Sequence, residues 1–310
     1  MSDATPSLPP CTHVLAVDIG GTKVDAAVVS IAGEVVRESV TRRPTGRESD
    51  RETIARNVRE AAEGALAAVP GLSVGAIGVG SAGPVDLPSR TVSPLNLPLA
   101  AGLPIDEVLA GLVDGPLSLA LDGTCIALAE HWRGSLLGCR NALAIVVSTG
   151  VGGGFVLDGR PMGGASGNAG HLGQTFVRTI HDGEVVASTL EAVAAGPGTV
   201  AWAQSKGWVG ETGLDLAASY RAGDEIATAA VARSATAVGQ AIAAAATLCD
   251  LEAVAIAGGF SQVADDYVDR VRAAAQAASV HEYARRCRIT GSGLDGDGPL
   301  LGAAALALRA

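Results

Sequence analysis

Aromatic residues are scarce in this sequence: three Trp, three Tyr and three Phe make up 3% of it. A core built without them must be filled by Ala, Val, Leu and Ile. A hydrophobic share of 48% over 310 residues is ample for that, and the length allows one large domain or two ordinary ones. Cysteine is thinly spread. Cys11, Cys125, Cys139, Cys249 and Cys287 include no CxxC pair, and an odd, scattered set fits reduced thiols, not a disulfide framework. Positive charge is short as well. A net charge of −10 argues against a nucleic-acid surface, which wants a basic face. It also repels nucleotides, so any phosphate site must rely on local backbone donors and a metal. No apolar run of about 20 residues is clear of turn formers and charge, which argues against a membrane span. The opening MSDATPSLPP has neither the basic nor the apolar region of a signal peptide. Together these absences predict a cytoplasmic protein with neither nucleic acid nor membrane as partner.

Two phosphate-binding signatures are also missing. No run fits GxxxxGK[ST], and Gly20-Gly21 and Gly150–Gly154 open into strands, not into a helix as a GxGxxG dinucleotide loop requires. What is present is a different glycine pattern. In Leu15 to Gly33, LAVDIGGTKVDAAVVSIAG, an apolar run ends in Asp18, a glycine pair follows, and a second apolar run leads to another turn. This reads as strand, tight turn and antiparallel strand. Such a turn is expected to leave the N–H groups of Gly20, Gly21 and Thr22 pointing into one concavity, where successive donors attract phosphate oxygens. Asp18, at the strand end, is placed to hold a hydrated Mg²⁺ through water. The plainer alternative is a hairpin with a glycine turn and no ligand.

Glycine-rich turns follow buried apolar runs at four places: 20–22, 80–83, 150–154 and 258–259. Loops at the carboxyl ends of strands are where α/β folds place ligands. The segment Leu143–Gly159, LAIVVSTGVGGGFVLDG, repeats the form of the first hairpin. That repetition predicts two domains of one type, with a ligand in the cleft between them. The expected division is 1–121, with the helix 298–310 packing back on it, and 122–297. Elsewhere the pattern predicts a loose tail over 1–12, an edge strand over Glu34–Arg42 and a helix over Arg51–Val69. Strands are expected at Val74–Val79, Leu117–Leu121 and Ala253–Ala257. Short and long helices are expected over Ile105–Leu112 and Leu214–Leu251, and an Ala/Leu helix over Gly298–Arg309. Residues 160–198 read as irregular and glycine-rich, with a helix starting over Thr189–Ala195 and capped at Ser188 or Thr189.

Asp122 ends a buried strand and precedes a helix. Phosphoryl transfer to a hydroxyl needs in-line positioning, charge neutralisation and a carboxylate to accept the proton, and Asp122 is the candidate base. A helix N-cap is the alternative role for it.

These segments together resemble the ROK family. DIGGTK at 18–23, GSAGPVD at 80–86, LDGTCIALAEHWRG at 121–134, STGVGGG at 148–154 and IAGGFS at 256–261 occur in that family's order, and the resemblance runs from about residue 14 to 308. It implies an α/β, two-domain actin/hexokinase-like ATPase fold with ribonuclease H-like domains and an inter-domain cleft. The implied activity is that of an ATP-dependent sugar kinase using Mg²⁺, acting on a hexose or an amino or N-acetyl hexose, and the implied assembly is a homodimer. Asp18, Gly20, Gly21, Thr22 and Lys23 would form the first phosphate loop, and Ser148, Thr149, Gly150, Gly152 and Gly153 the second. Gly258 and Gly259 would flank the adenosine. Gly83, Asn96 and Glu191 would contact the sugar, and Asp122 would be the base.

The departures bear on specificity. Leu121 stands where the family usually has Asn. The family's GE-x-GH sugar clamp is Gly170-His171-Leu172-Gly173-Gln174 here, with His171 for Glu and Gln174 for His. An imidazole can donate as well as accept, so the set of hydroxyls it satisfies differs, and glucose is not assumed. Between Gln174 and Glu191 the chain has His181 and no cysteine, so the family's structural zinc, which needs four ligands, is not expected. A catalytically silent sugar-binding or regulatory protein is the competing reading, and polyphosphate is the competing donor.

Overall fold

The structure is a computed structural model that describes residues 11–181 and 184–309. The expected tail therefore lies outside the described residues up to residue 10. In chain order the first elements are β1 (His13–Ile19), β2 (Lys23–Ser30), β3 (Thr41–Pro44), α1 (Arg51–Ala67) and β4 (Val74–Ser81). There follow β5 (Val85–Asp86), β6 (Thr91–Val92), β7 (Leu103–Pro104), α2 (Ile105–Val108), β8 (Leu117–Leu121) and α3 (Asp122–Arg133). Next come β9 (Ala142–Val147), β10 (Val151–Leu157), β11 (Arg160–Pro161), β12 (Phe176–His181), β13 (Glu184–Thr189) and α4 (Leu190–Ala194). The chain continues through α5 (Gly196–Ser205), α6 (Gly213–Arg221), α7 (Glu225–Cys249), β14 (Ala253–Ala257) and α8 (Tyr267–Ala278). It ends with α9 (Glu282–Arg285), β15 (Arg288–Gly291) and α10 (Gly298–Ala307).

Two compact units result. The first takes the chain up to Gly134, with Pro161–Ala169 and everything from Leu294 onward; the second takes Ser135–Arg160 and Gly170–Gly293. The division therefore falls after Gly134, not after residue 121. The reason is local: α3 packs along α10, and a Cβ on Gly302 would overlap the Cys125 carbonyl. Gly78 on β4 meets the Ala303 carbonyl in the same way. A chain with so few aromatics fills its interior by bringing backbones close together, and dense packing needs no large side chains when the elements themselves approach.

In the first unit the sheet order is β3-β2-β1-β4-β8. β1 and β2 are antiparallel, while β1, β4 and β8 are parallel. The central strand HVLAVDI is buried on both faces, as expected for a strand covered by helices on each side. One face packs on α1 through Ile54, Val58, Ala61, Ala62 and Ala65. The other packs on α3 and α10 through Val14, Ala16, Ala27 and Val29. Helix α1 starts where Asp50 accepts the Thr53 N–H at 2.8 Å, a side-chain N-cap.

The second unit repeats the plan. Its sheet order is β11-β10-β9-β14-β15, with β9 and β10 antiparallel and β9, β14 and β15 parallel. The long Ala-rich α7 packs against α8. It is capped by Asp224, which accepts the Ala227 N–H at 2.8 Å. Among the described residues no helix is long and apolar enough to cross a membrane, and all five cysteines are free thiols.

Four expectations need correction. The edge strand over Glu34–Arg42 shrinks to β3. Before it, Arg37–Ser39 forms a 3-10 turn whose buried Ser39 hydroxyl accepts the Val28 N–H at 2.8 Å. The helix at Ile105 ends at Val108 instead of Leu112. Residues 160–198 are not irregular: β12 and β13 form an antiparallel hairpin within them, followed by α4 and α5. The helical stretch over Leu214–Leu251 is two helices, α6 and α7, broken at Ala222–Asp224.

Candidate active site

In the first unit the parallel strands β1, β4 and β8 end at one edge. Asp18 pairs with Gly80, Ile19 with Ser81, and Ser81 with Leu121, so Asp18 and Asp122 emerge on the same rim. The register of β1, β2 and β3 also lines up Asp18, Asp25 and Arg42 in one cross-strand row. Asp25 is nearly buried and is held by Lys23 at 2.9 Å and by Arg42 at 2.6 and 2.9 Å. Burial pushes the Asp25 carboxyl up, but the hydrogen bonds and charges of Arg42 and Lys23 outweigh it and hold the group below its ordinary value. Among the described residues Asp18 has no such hydrogen-bonded partners. Burial, then the charges of Asp122 and Asp25, raise it to about 7, against a smaller opposing pull from Lys23. The Cys125 thiol beneath is pushed well above its ordinary value by burial and by the charges of Asp18 and Asp122, so it stays protonated and inert.

The glycine turn differs from expectation in one respect. The Gly20 N–H is not available to a ligand, because it donates to the Lys23 carbonyl at 2.9 Å and closes the hairpin. Among the described residues the Gly21 and Thr22 N–H groups have no acceptor, and Thr22 is exposed. Thr45 pins the turn from outside, its hydroxyl donating to the Gly20 carbonyl at 2.8 Å and its N–H to the Thr22 carbonyl at 3.0 Å. The Asn96 side chain lies directly over Gly21, where a Cβ would overlap its amide nitrogen. Asn96 itself is exposed. Its neighbour Leu95 donates to the Gly83 carbonyl at 3.2 Å, which ties Gly83 to the same edge. Asp122 is exposed and is the first residue of α3; the N-cap position is Leu121. Its Oδ1 accepts the Gly123 N–H at 2.7 Å. The capping alternative is not met: Leu121 is the N-cap, among the described residues the helix has no side-chain cap hydrogen bond, and the Asp122 Oδ1 contact is to the adjacent amide. The first unit brings Asp18, Gly20–Lys23, Gly83, Asn96 and Asp122 to one edge.

A second set gathers in the second unit. Ser148, Thr149 and Gly150 form the turn between β9 and β10, closed by the Ser148 N–H donating to the Gly150 carbonyl at 2.9 Å. Gly258, with φ 99°, lies against the Val147 backbone at the end of the neighbouring β14, so the turns at 148–150 and 258–259 share an edge. A Cβ on Gly152 or Gly259 would meet open space. Gly173 rests on the Val151 carbonyl and Gly170 on the Gly153 carbonyl, which lays the His171–Gln174 segment along β10. His171 and Gln174 are exposed. The Gln174 amide donates to Glu191 Oε1 at 3.2 Å, and the Val151 N–H donates to Glu191 Oε2 at 2.9 Å. Glu191 lies in the first turn of α4, whose N-cap is Thr189, one of the two residues expected there.

Asp25 and Arg42 escaped the sequence reading. The signal was present: Lys23 and Asp25, two apart on one strand, must share a face. As for metal, a carboxylate raised to about 7 by burial and two like charges is one that a divalent cation would return to its ionised form, so the Asp18 corner fits Mg²⁺.

The sequence profile of the ROK family matches residues 14–310. The N-acetylmannosamine kinase of Yersinia pseudotuberculosis is 33% identical over 272 residues, spanning 84% of this chain and 87% of that protein. A ROK hexokinase from Thermus thermophilus superposes with a TM-score of 0.79 at 31% identity, over 95% of this chain and 97% of its own. A ROK family glucokinase from Streptomyces griseus, solved with glucose and AMPPNP, does so with a TM-score of 0.78 at 26% identity, over 96% and 100%. The fold is the actin/hexokinase-like ATPase fold of these kinases.

Proposed function

We propose that this chain, which belongs to the ROK family, is an ATP-dependent sugar kinase with Asp122 as its general base. The observation that carries the reading is the rim of the first unit. There an exposed carboxylate at a strand end stands close enough to Asp18 to raise it, beside a turn with two amides that lack acceptors among the described residues. Asp122 takes the proton of the attacking sugar hydroxyl as the oxygen bonds to the γ-phosphorus. The Gly21 and Thr22 N–H groups and the Ser148–Gly150 turn receive phosphate oxygens, and Gly258 and Gly259 leave room for the adenosine. Lys23 adds positive charge to the first turn while remaining paired with Asp25. Asp18 would hold Mg²⁺ through water, and the ion would supply charge neutralisation for the leaving phosphate.

Asn96 and Gly83 at the rim of the first unit, and His171, Gln174 and Glu191 in the second, are the sugar-facing set of this reading. His171 and Gln174 both carry N–H donors, and a donor pair suits a sugar bearing an acceptor such as an acyl carbonyl. The relative that phosphorylates N-acetylmannosamine is in keeping with that. A homodimer belongs to the same reading. The test is ADP release from ATP and Mg²⁺ against a panel of hexoses, hexosamines and N-acetylhexosamines. Turnover of at least one N-acetylhexosamine is expected. A sugar that raises the melting temperature while none in the panel is turned over would replace the kinase with a silent binding protein.

A further inference from the structure

The second unit holds a carboxylate whose contacts are not those of a simple sugar ligand. Both oxygens of Glu191 already have donors inside the protein: Oε2 takes the Val151 N–H at 2.9 Å and Oε1 takes the Gln174 amide at 3.2 Å. Val151 is the first residue after the Ser148–Gly150 turn and pairs with Val147, the last residue before it. Gly150 abuts the same carboxylate so closely that a Cβ there would stand 2.6 Å from Oε2. The other flank of the turn is fastened by the same short stretch of chain. The Gly196 N–H donates to the Ser148 carbonyl at 2.8 Å, and the Ala195 N–H to the Glu191 carbonyl at 3.0 Å. Residues 191–196 therefore grip the turn at both ends, by a side chain at Val151 and by backbone at Ser148.

A negative charge beside a turn meant for phosphate is an electrostatic cost, because like charges at such range repel. Its benefit must lie elsewhere, and geometry supplies one: a carboxylate accepts two donors at once from opposite sides. We infer that Glu191 is a positioning residue for the nucleotide turn, holding Ser148–Gly150 in its phosphate-receiving shape through Val151, with Gln174 as its brace. This rests on the reading of that turn as a phosphate site. Through Glu191 the sugar-side segment His171–Gln174 and the nucleotide turn are joined by two hydrogen bonds within one unit.

Two substitutions at Glu191 separate shape from charge. In Glu191→Gln the new carbonyl still accepts the Val151 N–H, and the Gln174 amide can turn over to accept from the new NH₂. In Glu191→Ala both bonds are lost. The measurements are Mg²⁺–AMPPNP affinity by calorimetry without any sugar, and hydrogen exchange of the 148–151 amides without any ligand. Wild type is expected to bind. Glu191→Ala should bind about tenfold more weakly, the scale of one lost hydrogen bond to a charged group, with faster exchange at Val151. Glu191→Gln should bind as tightly as wild type or tighter. Gly150→Ala, which drives a methyl against the carboxylate from the other side, should weaken binding as Glu191→Ala does; it serves if the alanine variant does not fold. Wild-type affinity in a folded Glu191→Ala overturns the inference, whether or not exchange is faster. A Glu191→Gln as weak as Glu191→Ala overturns it too, since charge would then be what matters. A wild type that fails to bind AMPPNP strikes the phosphate reading itself, and the inference falls with it.

Discussion

The two glycine turns sit on sheets of the same strand order, at the same corner of an antiparallel hairpin, yet their surroundings differ. Around the first stand Asp18, Asp25 and Asp122, with Lys23 and Arg42. Around the second the described contacts are backbone, small residues and the single carboxylate of Glu191, which is bonded on both oxygens. A duplicated scaffold has been specialised by what lies next to the turn and not by the turn itself. The first corner has charges that can respond to a cation and a proton; the second has a geometry that is fixed.

Four substitutions probe that contrast. Asp122→Asn keeps the hydrogen bond to Gly123 but cannot take a proton. Turnover should fall by about 10²–10⁴-fold while AMPPNP affinity stays at the wild-type value; coupled ADP assays and calorimetry read the two apart. Next is the support of the first corner. Gly302→Val would force α10 away from α3, since even a Cβ there meets the Cys125 carbonyl. Overpacking of this kind should cost about 3 kcal/mol, read from the urea midpoint.

Asp18 makes the third prediction, through pH. Its carboxyl goes from 3.8 in its ordinary state to about 7 in the fold, so the folded protein holds its proton more tightly than the unfolded chain. Stability contributed by that proton is full below about pH 4 and is lost as pH rises through about 7. Asp18→Asn removes the slope. In EDTA its gain over wild type should grow between pH 4 and pH 8 by up to about 4 kcal/mol, the size that a carboxyl raised from 3.8 to about 7 allows, and Mg²⁺ should narrow the gap by stabilising wild type alone. An equal pH dependence of the two proteins would mean that Asp18 is not strained by its neighbours. The smallest effect belongs to the second corner. Thr189→Ala removes the side-chain cap of α4, where the hydroxyl accepts the Ala192 N–H at 3.3 Å. About 1 kcal/mol of stability should go with it, with turnover little changed.

The strands that end at the two corners were readable from the sequence because each is an unbroken apolar run stopped by a small polar residue or glycine. That held for β1, β4, β9 and β14, inside their sheets, and for β8, an edge strand whose last three residues are buried. What was not readable lies at the edges. The β12–β13 hairpin leaves Phe176 at 74% and Val185 at 70% exposure, so its apolar residues do not mark a buried face. β15 has four residues, RITG, with only Ile289 buried. At the site the glycines and Asp18 announced themselves, while Asp25 and Arg42 did not, because their role comes from a cross-strand register that no single strand displays. The Gly20 amide was misjudged for a similar reason: its acceptor, the Lys23 carbonyl, is a feature of how tightly the hairpin closes.

The central claim is that the carboxylate on the first corner moves a proton so that a sugar is phosphorylated. Phosphorus NMR of ATP, Mg²⁺ and N-acetylmannosamine with the enzyme tests it most directly. A new phosphomonoester signal should grow with wild type and stay undetectable over the same interval with Asp122→Asn. Equal growth of that signal with both proteins would contradict the account.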